Sequence, residues 1–539
     1  MRKGGGRRKF RVLRSGTGPT WCGGFPVHFI ALKCACRYVK TLENILAGIT
    51  GLRDVHGMRE REVRAIRYDS RRVAPGDLYV ALNGRDDRGL EFLPAAVRAG
   101  AAIVVVDTAE GLPMDLIDGG VTLVVVEDAR RAMAQMSHRL FDYPADGMKI
   151  YGVTGTNGKT TVTYVLRQLL EAGGERVGVI GTLGKMVGRI IPTGYTTPEA
   201  PELAEILDEM RRAGLTAVAM EVSSHALALQ RVEGLKFDGA IFTNLTQDHL
   251  DFHSSFQEYH DAKKLLFDQL DPDRPAVVGI DDVHGASVVR DCHADIYRYG
   301  SASDADAAVE DVQLSPDGSR WGVTLSERLG GGRLGLHTPL VGAFNVSNIT
   351  GALVLALAAG HDRERLVETI AVLRPVPGRM ESIPLGNGAT AVIDYAHTPD
   401  ALENVLRTLR AIGGGAITAV FGCGGNRDAG KRPVMGEVAA RLADRVVLTS
   451  DNPRGEIPER IIDDIMAGIP AGTAVERIAD RAGAIAHALD AGMPGDLILI
   501  AGKGHEDYQI IGSERRHFND GEEVRAWMGR KETTTAAWP

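Results

Sequence analysis

Between Lys149 and Leu170 the chain passes from an apolar run, Lys149-Ile150-Tyr151-Gly152-Val153, through Gly155-Thr156-Asn157-Gly158-Lys159-Thr160-Thr161 into a helix-forming stretch from Thr161 to Leu170. A buried strand that feeds a glycine loop and then a helix belongs to a parallel α/β sheet, with the loop at the strand's C-terminal end. Glycines there let backbone N–H groups converge, and the helix N-terminus adds partial positive charge, so the loop suits an anion of the phosphate type. Lys159 supplies a point charge for β- and γ-phosphates and the Thr160 hydroxyl is placed to reach magnesium. The spacing is shortened: Val153 stands five residues before Gly158, so the signature is Gly-x-x-Gly-Lys-Thr-Thr led by Gly155.

At 539 residues the chain exceeds what one core organises, and roughly three domains are expected. Short β-rich runs at 78–82, 102–106 and 121–126, with a helical stretch at 92–99, predict a small N-terminal α/β domain over 39–146. Runs at 217–220 and 239–242 extend the sheet of a central domain over 147–373, P-loop ATPase-like and mostly parallel. Pro375, Pro377 and Gly378 punctuate a linker; strands at 391–393, 416–421, 446–449 and 497–500 predict a Rossmann-like C-terminal domain over 374–539.

Residues 1–38 form a basic leader with nine Lys or Arg and no acid, expected to be disordered or non-native. Its composition has a transit peptide's character, but a start near Val39 is the preferred expectation. The rest holds 53 basic against 70 acidic side chains, a net charge of −17 that disfavours nucleic acid. No apolar run is long enough to cross a bilayer. Three of five cysteines lie in the leader, leaving Cys292 and Cys423 as expected cytosolic thiols rather than a disulfide framework.

Glu221 ends an apolar strand and precedes Val222-Ser223-Ser224-His225, while Asp248-His249 follows another strand. A carboxylate and an imidazole at strand ends facing a phosphate loop are reasonable magnesium ligands, which makes Thr160, Glu221 and His249 the candidate metal set. His225 and His253 are expected to be exposed loop polars, and Lys263, by composition alone, a solvated helix lysine. Arg454, in Asp451-Asn452-Pro453-Arg454, offers a planar fork for a carboxylate, and Asp451, Asn452 and Glu506 can receive an ammonium.

Taken in order with Asp69-Ser70-Arg71, Thr196-Thr197-Pro198, Gly342-Ala343-Phe344-Asn345, Gly378-Arg379-Met380-Glu381, Asp394-Tyr395-Ala396-His397 and Gly502-Lys503-Gly504-His505-Glu506, these motifs resemble the Mur ligase family from about Thr41 to Trp527. The resemblance is to the members that add the third residue of the cell-wall precursor peptide. It implies a cytoplasmic amide-forming ligase that uses ATP and Mg2+ to phosphorylate a D-glutamate carboxylate. Its expected partners are UDP-N-acetylmuramoyl-L-alanyl-D-glutamate and meso-diaminopimelate, with no nucleic acid and no membrane insertion.

The family's roles place Lys159, Lys263, His249 and Glu221 at the reaction. They place Gly155, Thr156, Asn157, Gly158, Lys159, Thr160, Thr161, Asn345, Arg379, Asp394 and His397 on ATP. Ser70, the Gly84 to Asp87 loop, Thr196, Thr197, Ser223, Arg231 and a carbamylated Lys263 fall to the UDP-muramyl-peptide. Arg427, Asp451, Asn452, Pro453, Arg454, Gly502 and Glu506 fall to diaminopimelate. Alternatives are the same ligase adding L-lysine, a folylpolyglutamate synthase-like ligase, and an ATP-hydrolysing switch protein.

Overall fold

The computed structural model describes residues 38–82, 89–110, 112, 120–250, 252–315 and 318–535, with side chains to 530. The leader as far as Arg37, the Gly84 to Asp87 loop and Asp251 lie outside the described residues.

Three sheets carry the chain in sequence order. The first is five-stranded, in the order Leu52–His56, Thr122–Val126, Ile103–Val106, Leu78–Val80, Ile66–Arg67, and only its first pair is antiparallel. Its inner strands Ile103–Val106 and Thr122–Val126 are short β-branched runs buried on both faces, as parallel strands covered by helices must be. Helix Ala129–Leu140, capped by the Asp128 carboxylate on the N–H groups of Arg130 and Arg131, covers one of those faces.

The central sheet has eleven strands. Lys149–Thr154 sits in its interior between Ala217–Glu221 and Gly239–Phe242, parallel to both, so all three strand ends open onto one edge. The loop after Lys149–Thr154 enters helix Lys159–Ala172, which packs Val162, Val165, Leu166, Leu169 and Leu170 into the largest core cluster. Helix Ala343–Ala358, apolar nearly all round, packs beside it in that core and is correspondingly buried.

The two edges of this sheet are antiparallel, which the sequence pattern did not foretell. One edge is the pair Gly184–Val187 and Arg189–Ile191; the other is the meander Ala307–Ser315, Gly318–Leu325, Arg333–Thr338. A bulge between Glu310 and Gln313, with Asp311 at φ 53°, breaks the two-residue alternation by which a strand is recognised.

The C-terminal sheet runs Glu381–Pro384, Thr390–Asp394, Leu497–Ala501, Ile417–Phe421, Arg445–Leu448, Val475–Arg477, parallel after its first pair. It is joined to the central part through Gly378, at φ 66°, where a Cβ would collide with the backbone of Gly504 and His505. The linker is therefore seated on the Gly502 to Glu506 loop, and only glycine allows that approach.

His138, on the helix covering the first sheet, is 3 % exposed and bonds the backbone of Glu233 in the central part. Burial pushes its imidazole from 6.5 down to about 4. Between those values the unfolded chain binds a proton that the fold refuses. The resulting stability is therefore full above pH 6.5 and is lost as pH falls toward 4, on the order of 2 kcal/mol by pH 5. Scanning calorimetry should show His138→Leu losing less Tm between pH 7 and pH 5 than the wild type does; equal losses would refute this role.

Candidate active site

The loop residues meet their neighbours at contact distance. Gly155 has φ 149° and Gly158 φ 88°, and a Cβ on either would overlap the side chain of Thr243 or Asn348. Thr156 N donates to Asn244 O at 2.8 Å, and Asn157 N to Asn244 Oδ1 at 2.9 Å, so the strand end after Phe242 fixes the loop.

Lys159 Nζ donates to Gly155 O and Thr156 O, both at 2.9 Å. Lys263 Nζ donates to the same Gly155 O at 2.8 Å and is 1 % exposed. Lys263 is thus no solvated helix lysine. Burial, and after it the neighbouring Lys159, push its ammonium well below the usual lysine range; burial also lowers Lys159, against the pull of Glu221 and Asp248.

Glu221, wholly buried, accepts from Thr182 N at 2.8 Å on Oε1 and from Thr182 Oγ1 at 3.0 Å on Oε2. Thr182 in turn bonds Thr196 Oγ1 at 3.1 Å. His249 sits at φ 55° with its ring 3.5 Å from Asp248. Burial raises Asp248, but the imidazoles of His249 and His397 and the Lys159 ammonium outweigh it and hold the carboxylate below its ordinary value. His253, expected to be exposed, is 0 % exposed and bonds Ser224 Oγ at 3.0 Å; His225 is half-buried, its ring centred 4.8 Å from that of His249. Packing of these rings on one another supplies the burial that the polar sequence concealed.

The C-terminal part closes this site. Arg379 Nη2 donates to Thr160 Oγ1 at 3.2 Å, and its guanidinium lies 4.5 Å from the Tyr395 ring. Asn157 Nδ2 donates to Asp400 Oδ2 at 2.8 Å, and Thr246 Oγ1 to the same oxygen at 3.3 Å. Burial raises Asp394, whose oxygens accept from Met380 N and Ala396 N, and pushes His397 down to about 4. Together these residues enclose a cavity of about 370 Å³ lined by Thr156 to Thr161, Thr182, Thr196, Glu221, Ser223, His249, Arg379, Asp394 and His397. Asn345 donates to Val341 O and is not among its lining; Asn348, one turn on, is. Thr182 and Asn348, which no sequence motif marks, also line it, as do Asp248, Tyr395 and Asp400, which lie in or beside the motifs but take no site role from the sequence alone.

A second cavity, of about 860 Å³, lies between the first sheet and the central part, lined by Asp69, Ser70, Arg71, Tyr79, Lys185 and Tyr195 among others. Between the cavities Thr197 Oγ1 donates to Glu221 O at 2.8 Å and lies 3.4 Å from Ser223 Oγ. Arg231 donates to Thr197 O at 2.9 Å and pairs with Glu199 at 2.8 Å.

In the C-terminal part Arg454, at φ 52°, donates from Nη1 to Gly425 O at 3.0 Å and Asn452 O at 3.4 Å, which aims its fork. Asp451, Asn452 and Pro453 are buried; Arg427 is exposed. Asn452 Nδ2 donates to Glu506 Oε2 at 2.9 Å, and Gly502, at φ 111°, lets Asp451 approach closely. His505, in the same loop, lies beside the backbone of Thr182, so the amino-acid candidates adjoin the residue that orients Glu221. Burial, with Arg379 and Lys503 nearby, pushes His505 down to about 3.

Three family models match the chain: the Mur ligase family catalytic domain over 62–140, the Mur ligase middle domain over 153–356 and the Mur ligase glutamate ligase domain over 378–504. A UDP-N-acetylmuramoyl-L-alanyl-D-glutamate–2,6-diaminopimelate ligase from Thermosynechococcus vestitus is 43% identical over 474 residues, 87% of this chain and 94% of the relative. A solved ligase of the same name superposes with TM-score 0.64 and 34% identity, covering 91% of this chain and 99% of that one. The MurF ligase of Thermotoga maritima in complex with ADP shares the fold at 17% identity, with TM-score 0.58 over 88% of this chain and 99% of that one. Matched along its three sheets in order and 43% identical to a named member, this chain belongs to the Mur ligase family.

Proposed function

We propose that the chain joins meso-diaminopimelate to UDP-N-acetylmuramoyl-L-alanyl-D-glutamate at the expense of ATP, passing through an acyl phosphate. The observation that carries this reading is one cavity into which the phosphate loop, Glu221 and the C-terminal Arg379, Asp394 and His397 all face, with the Arg454 pocket adjoining it at His505 and Thr182. In this reading residues 39–146 hold the uridine nucleotide, 147–373 the ATP and 374–539 the amino acid.

A D-glutamate carboxylate oxygen attacks the γ-phosphorus of ATP and ADP leaves. The amine then attacks the acyl carbon, a C–N bond forms, the C–O bond to phosphate breaks, and the amine loses its proton. Both reactants of the first step are anions, so the desolvated cations Lys159 and Arg379 counter their repulsion most where charge develops. Thr182 holds Glu221 by both oxygens, Thr196 and Ser223 border the acceptor carboxylate, and the Arg231–Glu199 pair fixes the strand turn that presents them.

Thr160, Glu221 and His249 fit magnesium. They are oxygen and imidazole donors lining one cavity, and among the described residues no group of three His, Cys, Asp or Glu gathers into an all-protein cage. Magnesium would neutralise phosphate charge there.

Lys263, buried and with its ammonium disfavoured, is shifted toward the neutral amine that carbon dioxide requires, and a carbamate would set a negative charge beside Lys159. Protein equilibrated with 13C-bicarbonate should give a carbamate carbon signal that disappears in Lys263→Met; the same signal in both proteins would refute carbamylation at this site.

Phosphate release should require both UDP-muramyl-dipeptide and diaminopimelate. Release independent of both would instead support an ATP-hydrolysing switch. Arg454→Ala should lower kcat/KM for diaminopimelate by roughly a hundredfold through loss of a charge-assisted pair, with KM for ATP unchanged. Unaltered diaminopimelate kinetics in that variant would sink the assignment of the pocket.

A further inference from the structure

The amino-acid pocket contains a cation to which the chemistry above gives no part. Lys503 is fully buried, donates to Asn452 Oδ1 at 3.2 Å and Glu506 Oε2 at 3.0 Å, and lies 3.5 Å from Asp451 Oδ1. All three partners belong to the set proposed to hold the far end of the incoming amino acid. The other buried cation beside them, Arg481, is matched by Asp520 through two bonds of 2.8 Å and adds no net charge.

Formal charges decide what such a pocket prefers. Asp451 and Glu506 carry two negative charges and Lys503 one positive, so the cluster stands at −1. Counting the half-buried Arg454 guanidinium, and setting aside Arg427, which is exposed and screened by solvent, the pocket is neutral. That complements an end group bearing one ammonium and one carboxylate, each facing an opposite charge. A bare ammonium would leave Arg454 without its anion and the pocket with a surplus positive charge, which low-dielectric surroundings penalise. Without Lys503 the same pocket would carry −1 with Arg454 included and would match the bare ammonium instead.

We propose that Lys503 is a specificity-determining residue: by offsetting one of the two carboxylates beside it, it favours an amino acid with a zwitterionic far end over one ending in an ammonium alone. The inference rests on the ligase reading above. It differs from a structural brace in its consequence, because a brace would weaken both amino acids alike.

The test compares meso-diaminopimelate and L-lysine as amine substrates for the wild type and for Lys503→Met, Lys503→Gln and Lys503→Arg. The ratio of kcat/KM for diaminopimelate over lysine should fall by about tenfold or more in the Met and Gln variants, with KM for ATP unchanged. It should recover in Lys503→Arg, which keeps the charge. Lys503→Gln retains an amide for Asn452 and Glu506, so the ratio is read in a folded protein even where Lys503→Met does not fold. A ratio equal to that of the wild type, or an equal fall for both amino acids, overturns the proposal. A wild-type protein that forms no diaminopimelate product refutes the ligase reading, whereas a wild type that does, with unchanged ratios in the variants, refutes the role of Lys503 alone.

Discussion

Two lysines from different elements donate to one carbonyl oxygen, that of Gly155; Lys263 is buried and Lys159 half-buried. Like charges this close in a desolvated place are unstable unless negative charge accompanies them or one proton is given up. Much of the site follows from that tension. Glu221 and Asp248 stand near Lys159 as its local anions, and Arg379 adds a further cation against Thr160. A triphosphate would satisfy Lys159 and Arg379 together, and a carbamate would convert Lys263 from a repelling neighbour into an anion.

Contact of the third part with the second rests on side-chain hydrogen bonds: Asp400 takes bonds from Asn157 in the phosphate loop and Thr246 beside it. The phosphate loop is thus in contact with the C-terminal part at Asn157 and Thr160, while His505 reaches Thr182 next to Glu221.

The phosphate loop, its strand and its helix were legible in sequence because each rests on local pattern: an apolar run, glycines at left-handed positions and a lysine with no capping function. The buried strands at 103–106, 122–126, 217–221 and 497–501 were equally plain, being unbroken β-branched and aliphatic runs. What stayed hidden depends on distant partners. Lys263 reads as a surface lysine until Gly155, 108 residues away, is seen against it, and His253 reads as a loop polar until Ser224 and the neighbouring rings enclose it. Thr182 and Asn348 carry no motif of their own; one is defined by Glu221 and the other by the space beside Gly158. The Arg481–Asp520 pair, wholly buried, lies at the starts of two helices with nothing in either to announce the other.

The proposed chemistry makes one distinctive demand, that an oxygen of the acceptor carboxylate leave as phosphate. UDP-N-acetylmuramoyl-L-alanyl-D-glutamate carrying 18O in its glutamate side-chain carboxylate, incubated with ATP, diaminopimelate and the protein, should release inorganic phosphate containing one 18O atom for each amide bond formed from fully labelled substrate. Unlabelled phosphate accompanying amide formation would contradict an acyl phosphate, and with it the placement of the carboxylate against the Gly155 loop.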